Sequence, residues 1–220
     1  MSDEIKEISI TAGQLYRAAG MLDIQYLTQI PRPEAADLEV ALIEHWTSEE
    51  FDGAVKLLPN IAKLIELCAW PDTYCEVNIY TTGRQRQYLA YIASDNALCL
   101  CIADDGYLAS LYNTGTLATF FAGEIPVGDL MGTVTMTESE AAAYISQPEC
   151  LISIAYADMI DSEETVSGRN WIAVYADGTL WQVDEGESVT LRALDKEAVL
   201  AELSAIINVK ERGDTDVKKV

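Results

Sequence analysis

The chain has 220 residues, half of them hydrophobic, and its 36 acidic against 14 basic residues give a formal charge of −22. Such a charge repels nucleic acids and anionic membrane surfaces. It suits a basic protein partner, or it simply keeps the protein in solution. No run of about 18 apolar residues predicts a transmembrane helix, and the acidic residues 1–4 are unlike a secretory signal. We therefore expect a cytoplasmic protein that binds neither nucleic acid nor membrane.

The first part of the chain predicts helices followed by a meander of strands. Thr11 is suited to cap a helix over 12–20, and apolar residues at helical spacing favour further helices over 35–46 and 48–69, with Pro59 as a break. Short turns then separate segments of strand character, which indicates antiparallel hairpins. These predicted strands cover 74–81, 85–94, 97–103 and 107–112, and a short helix over 117–122 follows them.

The second part predicts a similar order with fewer helices. Thr137 caps a helix over 138–146, and Glu140 at the third helical position completes a capping box. A strand over 151–159 and a loop over 161–168 precede three more strands and a closing helix. The predicted ranges are 170–175, 179–183 and 188–191 for the strands, 195–209 for the helix and 210–220 for a polar tail.

Recurring segments suggest an internal duplication. Residues 86–98 and 168–180 each read as strand, turn and strand, and residues 8–11 and 134–137 each place a short strand before a capped helix. We predict that 88–98 superposes on 170–180. The predicted fold is α+β, a central antiparallel sheet with flanking helices and two pseudo-symmetric halves, 1–125 and 126–209, in one compact domain with a tail at 210–220.

The cysteines favour a structural interpretation. Five are scattered through apolar segments without the CxxC spacing of a zinc knuckle. Cys99 and Cys101, two residues apart, lie on one face of a predicted strand. We expect the thiols to be reduced and mostly buried, and we predict neither a metal nor a cofactor.

Residue types that carry catalysis are scarce. His45 is the single histidine and lies at a predicted helix end, so a nucleophile–base pair is not indicated. Neither GxGxxG nor GxxxxGK[ST] is present. The Asp-Gly segments at 104–106 and 177–178 suit turns better than metal loops. We predict that the protein is not an enzyme, although a metal-dependent enzyme using acidic residues is a remaining alternative.

The candidate binding site is a hairpin tip made of Gly83, Arg84, Gln85, Arg86 and Gln87. Its two arginines are the only close basic pair in a strongly acidic first half. Exposed loops carry recognition more often than core segments do, which favours a contact with a protein partner. The same residues also suit an ordinary soluble hairpin. The neighbouring sheet face and the helix over 195–207 complete the candidate surface.

The layout resembles that of the EspG family, cytosolic chaperones associated with ESX, or type VII, secretion. Three stretches carry the resemblance: the strand, threonine and helix of 8–20; the segment from Trp70-Pro71 through 75–79 to 88–98; and 167–183 with the helix 195–207. The resemblance implies an antiparallel sheet with two pseudo-symmetric helical subdomains. It further implies that the protein binds one end of a helical-hairpin secretion substrate, and that the hairpin tip touches this substrate.

A second class of function stays open. An immunity protein that neutralises a basic toxin would use the acidic surface itself as its binding site. Exposed charges are screened beyond about 8 Å at physiological ionic strength, so such binding weakens strongly with salt. An apolar helix tip in a groove is less sensitive to salt.

Overall fold

The computed structural model describes residues 7–50, 53–128, 132–160, 163–164, 169–184 and 188–207. Its elements form two series along the chain. The first runs β1 (Ile8–Ile10), α1 (Ala12–Gly20), α2 (Ala35–Val40), a 3₁₀ turn (Glu44–Trp46), β2 (Thr47–Glu49), β3 (Val55–Leu57), α3 (Pro59–Ala69), β4 (Thr73–Thr81), β5 (Arg84–Ala93), β6 (Asn96–Ala103), β7 (Gly106–Asn113) and α4 (Thr114–Glu124). The second runs β8 (Gly132–Met136), α5 (Glu138–Tyr144), β9 (Cys150–Ile160), β10 (Glu163–Glu164), β11 (Arg169–Ala176), β12 (Thr179–Asp184), β13 (Val189–Leu194) and α6 (Lys196–Ile207).

Among the described residues, one antiparallel sheet contains all strands except the separate β2–β3 hairpin. Its order is β1-β7-β6-β5-β4-β9-β11-β12-β13-β8, and β10 pairs with β9. The two series meet at the centre, where Val77 of β4 lies opposite Ile154 of β9. From this centre outwards, the first half continues with β5, β6 and β7 and the second with β11, β12 and β13. Each half ends with the short strand that precedes its first helix, β1 or β8. The predicted α+β fold with a central antiparallel sheet and flanking helices is confirmed.

The hairpin turns determine which residues correspond between the halves. Ala93 and Asn96 flank the two-residue turn between β5 and β6, and Ala176 and Thr179 flank the turn between β11 and β12. Ala93 therefore corresponds to Ala176. The common order of elements agrees with a duplication, which stays a hypothesis about the origin of the chain.

The predicted superposition of the halves is wrong by one residue. The sequence similarity aligns Asp95 with Asp177 and hence Tyr88 with Asn170. The positions of the two turns instead make Tyr88 correspond to Trp171. Tyr88 and Trp171 belong to the same core cluster and therefore to the same sheet face. A shift by one residue exchanges the two faces of a strand, so only the corrected alignment superposes core on core.

Helices α4 and α6 pack side by side on one face of the sheet. Each begins with a side-chain cap: Asn113 Oδ1 accepts a hydrogen bond from the Thr116 amide at 2.8 Å, and Asp195 Oδ1 accepts one from the Ala198 amide at 2.8 Å. These caps satisfy amides that have no partner within the helix. The apolar residues of both helices form one core with strands of both halves: Leu117, Ala118, Phe121, Val199, Leu203, Ile206.

The opposite face is covered unequally. In the first half, α1, α3 and the segment between them bury apolar residues of β5 and β6. In the second half, a much smaller cluster forms around Trp181, Leu191 and Ala193, with Ile145 after α5 packed against it. The reason is the length of one connection, since residues 21–72 separate α1 from β4 but only 145–149 separate α5 from β9.

Two predicted helices differ from the structure. The helix predicted over 35–46 ends at Val40, and a 3₁₀ turn follows it after a break. Of the helix predicted over 48–69, the described residues are helical only from Pro59 onwards. Proline fits the first turn of a helix because its missing N–H would have no partner there, and the preceding residues pair as β2 and β3.

Some predictions fall outside the described residues. The tail 210–220 and the last two residues of the helix predicted over 195–209 lie there, as does most of the loop predicted over 161–168, although residues 163–164 form β10. No helix among the described residues is long and apolar enough to cross a membrane.

Candidate partner-binding hairpin

The hairpin tip joins the two long strands β4 and β5 next to the centre of the sheet. Thr81 pairs with Arg84 across a two-residue turn, in which Gly83 has a φ of +83°. Glycine adopts this left-handed conformation without the steric cost that a Cβ atom brings. The Thr81 hydroxyl also donates a hydrogen bond to the Arg84 carbonyl at 3.1 Å. The tip is therefore a tight turn with a defined conformation.

The side chains of Arg84 and Gln85 are exposed, as is Gly83. Successive residues of a strand alternate between the faces of the sheet, so Arg84 and Arg86 share one face. This is the face of α4 and α6, because Tyr88, two residues after Arg86, belongs to their core cluster. Gln85 and Gln87 lie on the other face.

Arg86 is bound to the end of α4. Its guanidinium forms an ion pair with Glu124, the last residue of that helix, and the two side chains are 29% and 23% exposed. Arg86 is thus not the freely exposed side chain that the sequence-based prediction assumed. Its part in partner binding stays a prediction.

Tyr88, two residues further along β5, holds the carboxylate of this ion pair in place. Its hydroxyl donates a hydrogen bond to Glu124 Oε2 at 3.2 Å, and its ring meets Phe120 and Phe121 edge-on at centroid distances of 5.8 and 5.5 Å. Edge-to-face contacts are a favourable arrangement of aromatic rings. Burial raises the pKa of Tyr88 to about 12, so the hydroxyl remains a protonated donor at neutral pH.

Gln87 is held on the opposite face by a row of polar side chains. Its Nε2 donates to Asn78 Oδ1 at 2.8 Å, and Asn78 Nδ2 donates to Glu76 Oε1 at 3.1 Å. Asn78 is only 8% exposed, so these hydrogen bonds satisfy polar groups that are removed from water. The base of the tip is therefore fixed on both faces of the sheet.

The rest of the predicted surface is partly available for contact. On the sheet beside the tip, Tyr80 is 38% exposed, and on α6 Leu200 is 37% exposed. The other large apolar residues of that helix are core residues: Val199, Leu203, Ile206 and Ile207. Helix α6 therefore serves mainly as packing and offers little apolar surface.

The histidine and the cysteines, which the sequence offered as possible catalytic or metal-binding residues, have surroundings that suit structural roles. His45 is exposed, and its ring lies edge-on to Trp46 at a centroid distance of 5.3 Å. No disulfide joins the five cysteines, all of which lie in described segments. Burial raises the pKa of the Cys68 and Cys99 thiols far above the usual range, which leaves them protonated and unreactive. No group of three or more His, Cys, Asp or Glu side chains in the described ranges could hold a metal ion.

Sequence reasoning missed Glu124 and Asn78 as the residues that hold the tip. The helix predicted over 117–122 stopped short of Glu124, which continues α4 to its last turn. Asn78 stands in the middle of a predicted strand, where alternation alone does not distinguish a buried amide from an exposed one. The available signal was Glu124 itself. The helix dipole disfavours a carboxylate at a helix C-terminus, so an acidic residue there indicates a cationic partner.

Comparison with known proteins gives a likeness in structure alone. No protein-family model matches the chain, and no curated protein matches it. Among solved structures, the chain is similar to EspG5, the Mycobacterium tuberculosis type VII secretion system chaperone, in its complex with the PE25–PPE41 dimer. The TM-score is 0.61 over 91% of this chain and 95% of that chain, with 9% sequence identity. The two chains therefore share a fold, at a sequence identity too low to show more.

Proposed function

We propose that this protein is a non-enzymatic, cytoplasmic chaperone or adaptor of the EspG type that binds a helical secretion substrate. The observation that carries the proposal is its likeness in fold to a type VII secretion chaperone over nearly the full length of both chains. That neighbour is a chaperone rather than an enzyme, and it was solved with a protein dimer bound. The ligand proposed for this chain is therefore a protein.

The hairpin tip is the proposed contact, with the adjoining sheet face and α6 beside it. Arg84 and Gln85 are exposed at the end of two long strands, which presents a cation and an amide on an otherwise acidic protein. The end of a helical hairpin exposes backbone carbonyls that lack partners within the helix, and a helix C-terminus carries partial negative charge. An arginine and a glutamine can both donate hydrogen bonds to such an end.

The test is a capture experiment with a matched charge control. The full chain, its Arg84→Glu variant and its Arg32→Glu variant are immobilised and exposed to lysate from the source organism. Both arginines are exposed, so the two variants carry the same charge change and each should alter stability by no more than about 0.5 kcal/mol. We expect a protein of mainly helical circular dichroism to be captured by the parent and by Arg32→Glu. Arg84→Glu should bind that protein at least about tenfold more weakly.

Other outcomes would contradict the proposal. Capture of a basic, non-helical protein whose affinity falls about a hundredfold or more between low and high salt would favour the immunity function. Equal affinity of Arg84→Glu and the parent for the helical partner would remove the tip from the binding surface. Turnover of a small molecule that depends on residues of this chain would contradict the non-enzymatic assignment.

A further inference from the structure

We infer that Glu124 is a positioning residue for the hairpin tip: it binds Arg86 to the end of α4, so that Arg84 is the cation presented to a partner. The inference rests on the proposed function only for its last part, the meeting of Arg84 with a partner. The ion pair and its effect on the tip can be tested without any partner.

The contacts join the helix to the strand at two successive positions on one face. Arg86 and Tyr88 are two residues apart on β5 and both reach the carboxylate of Glu124. Tyr88 is 4% exposed and lies against the aromatic residues of α4. Because Tyr88 is anchored in the core, Glu124 is held in place, and Arg86 is drawn towards the helix rather than outwards.

The charges explain why this arrangement separates the two arginines. Residues two apart on a strand are about 7 Å apart, and like charges at that distance repel. Pairing with Glu124 neutralises Arg86, and the Nε atom of Arg86 is buried without a hydrogen-bond partner among the described residues. The Arg86 guanidinium is thus partly buried and paired within the protein through its ion pair with Glu124, whereas the side chain of Arg84 is exposed.

The position of Glu124 itself supports the inference. It is the last residue of α4, where the partial negative charge of the helix end disfavours a carboxylate. A residue at such a place stabilises the protein through a tertiary partner rather than through its own helix. Arg86 supplies the positive charge that both the carboxylate and the helix end favour.

The second half offers a matched control. Arg192 of β13 forms an ion pair with Glu202 of α6, and the two side chains are 38% and 30% exposed. This pair also joins a strand to the neighbouring long helix, and Arg192 further donates to Gln182 Oε1. It does not involve the hairpin tip. Removing the carboxylate of Glu202 changes the same kind of contact without touching Arg86.

The experiment measures arginine accessibility with phenylglyoxal, a reagent for free guanidinium groups, followed by peptide mass spectrometry. In the parent, Arg84 should react at least about tenfold faster than Arg86, since reaction at a held group requires local opening. Glu124→Gln should raise the rate at Arg86 towards that of Arg84 and leave Arg192 unchanged. Glu202→Gln should raise the rate at Arg192 alone.

Hydrogen exchange gives the second measurement. Glu124→Gln should accelerate amide exchange over residues 82–86, and the charge-reversed pair Arg86→Glu with Glu124→Arg should restore slow exchange there. Equal reactivity of Arg84 and Arg86 in the parent would overturn the inference. So would unchanged exchange at the tip in Glu124→Gln, or an equal effect of Glu202→Gln. If the reactivity and exchange rates contradict the inference, the proposed capture of a helical partner is not affected. If these rates are as expected but no helical partner is captured, only the proposed function is contradicted.

Discussion

The first half of the chain covers both faces of its strands with helices, whereas the second half has one long helix on one face and only the short α5 on the other. Both halves nevertheless build the same order of strands from the shared centre outwards. The second half thus has the same strand order as the first although only one of its faces is covered by a long helix. The second covering layer depends on a single connection, which is long after α1 and short after α5.

On the face of α4 and α6 the halves match in detail. The fourth helical residue after each cap is fully buried, Leu117 in one helix and Val199 in the other, and Phe121 and Leu203 follow four residues later at 1% exposure each. On the opposite face, the fourth residue after the Thr11 cap is Leu15, whereas the fourth after the Thr137 cap is Ala141. The matched and unmatched positions define four tests.

The largest expected effect is at the matched core positions. Phe121→Ala and Leu203→Ala should each lower the free energy of unfolding by about 3 to 5 kcal/mol, because each leaves a cavity in the core shared by the two halves. Urea unfolding measures the loss. The double variant should be non-additive, since both residues lie in one cluster. Two separate transitions, one for each half, would contradict the prediction of one compact domain.

Leu15→Ala tests the unmatched face. Leu15 is fully buried in α1, so the substitution should cost about 2 to 4 kcal/mol through lost burial and an unfilled cavity. Leu200→Ala, at a residue 37% exposed on α6, is the control and should cost less than about 1 kcal/mol. A small effect of Leu15→Ala would mean that the helical layer of the first half contributes little to stability, as in the second half.

A smaller effect is expected at the two helix caps. Asn113→Ala and Asp195→Ala should each reduce the free energy of unfolding by about 1 kcal/mol, because each leaves a helix amide without its acceptor. The measured losses should be similar, with Asp195 more sensitive to added salt since its charge also interacts with the helix dipole. A loss confined to one of the two variants would show that the caps are not equivalent in the two halves.

The smallest effect concerns the pH dependence of the capping boxes. Hydrogen bonds from the Thr137 amide and hydroxyl, both at 2.8 Å, lower the pKa of Glu140. A carboxyl whose pKa is lower in the folded state stabilises the protein above its unfolded pKa, and this contribution disappears as the pH falls through the folded value. Thermal unfolding of the parent and of Glu140→Gln should therefore differ at neutral pH and converge in acid, once the pH has fallen below the lowered pKa of Glu140.

The counterpart in α1 is the control for this titration. Gln14 accepts from the Thr11 amide at 3.0 Å with an uncharged side chain. Gln14→Ala should therefore lower the unfolding temperature by the same amount at neutral pH and in acid, because Gln14 does not titrate. A Glu140→Gln difference that persists unchanged in acid would show that the charge of this carboxylate does not contribute to the cap.

The candidate tip shows how far sequence reasoning extended. The turn at Gly83 and the exposure of Arg84 follow from local chemistry, because a glycine between two strand-forming segments indicates a turn. The ion pair between Arg86 and Glu124 could not be predicted from the local sequence. The two residues come together only because the end of α4 packs against Tyr88 of β5, and the alternation of a strand is the same whether or not a helix covers it.

The sequence by itself determined the α+β class, the antiparallel meander and the capped starts of α1 and α5, because these features depend on residues within about four positions of one another. Tertiary structure alone decided that residues 47–49 and 55–57 pair as strands instead of continuing a helix, that β4 pairs with β9, and that Asp95 corresponds to Gly178 rather than to Asp177. These outcomes depend on burial against distant segments, whose free energy exceeds the small local preferences that a sequence pattern reports.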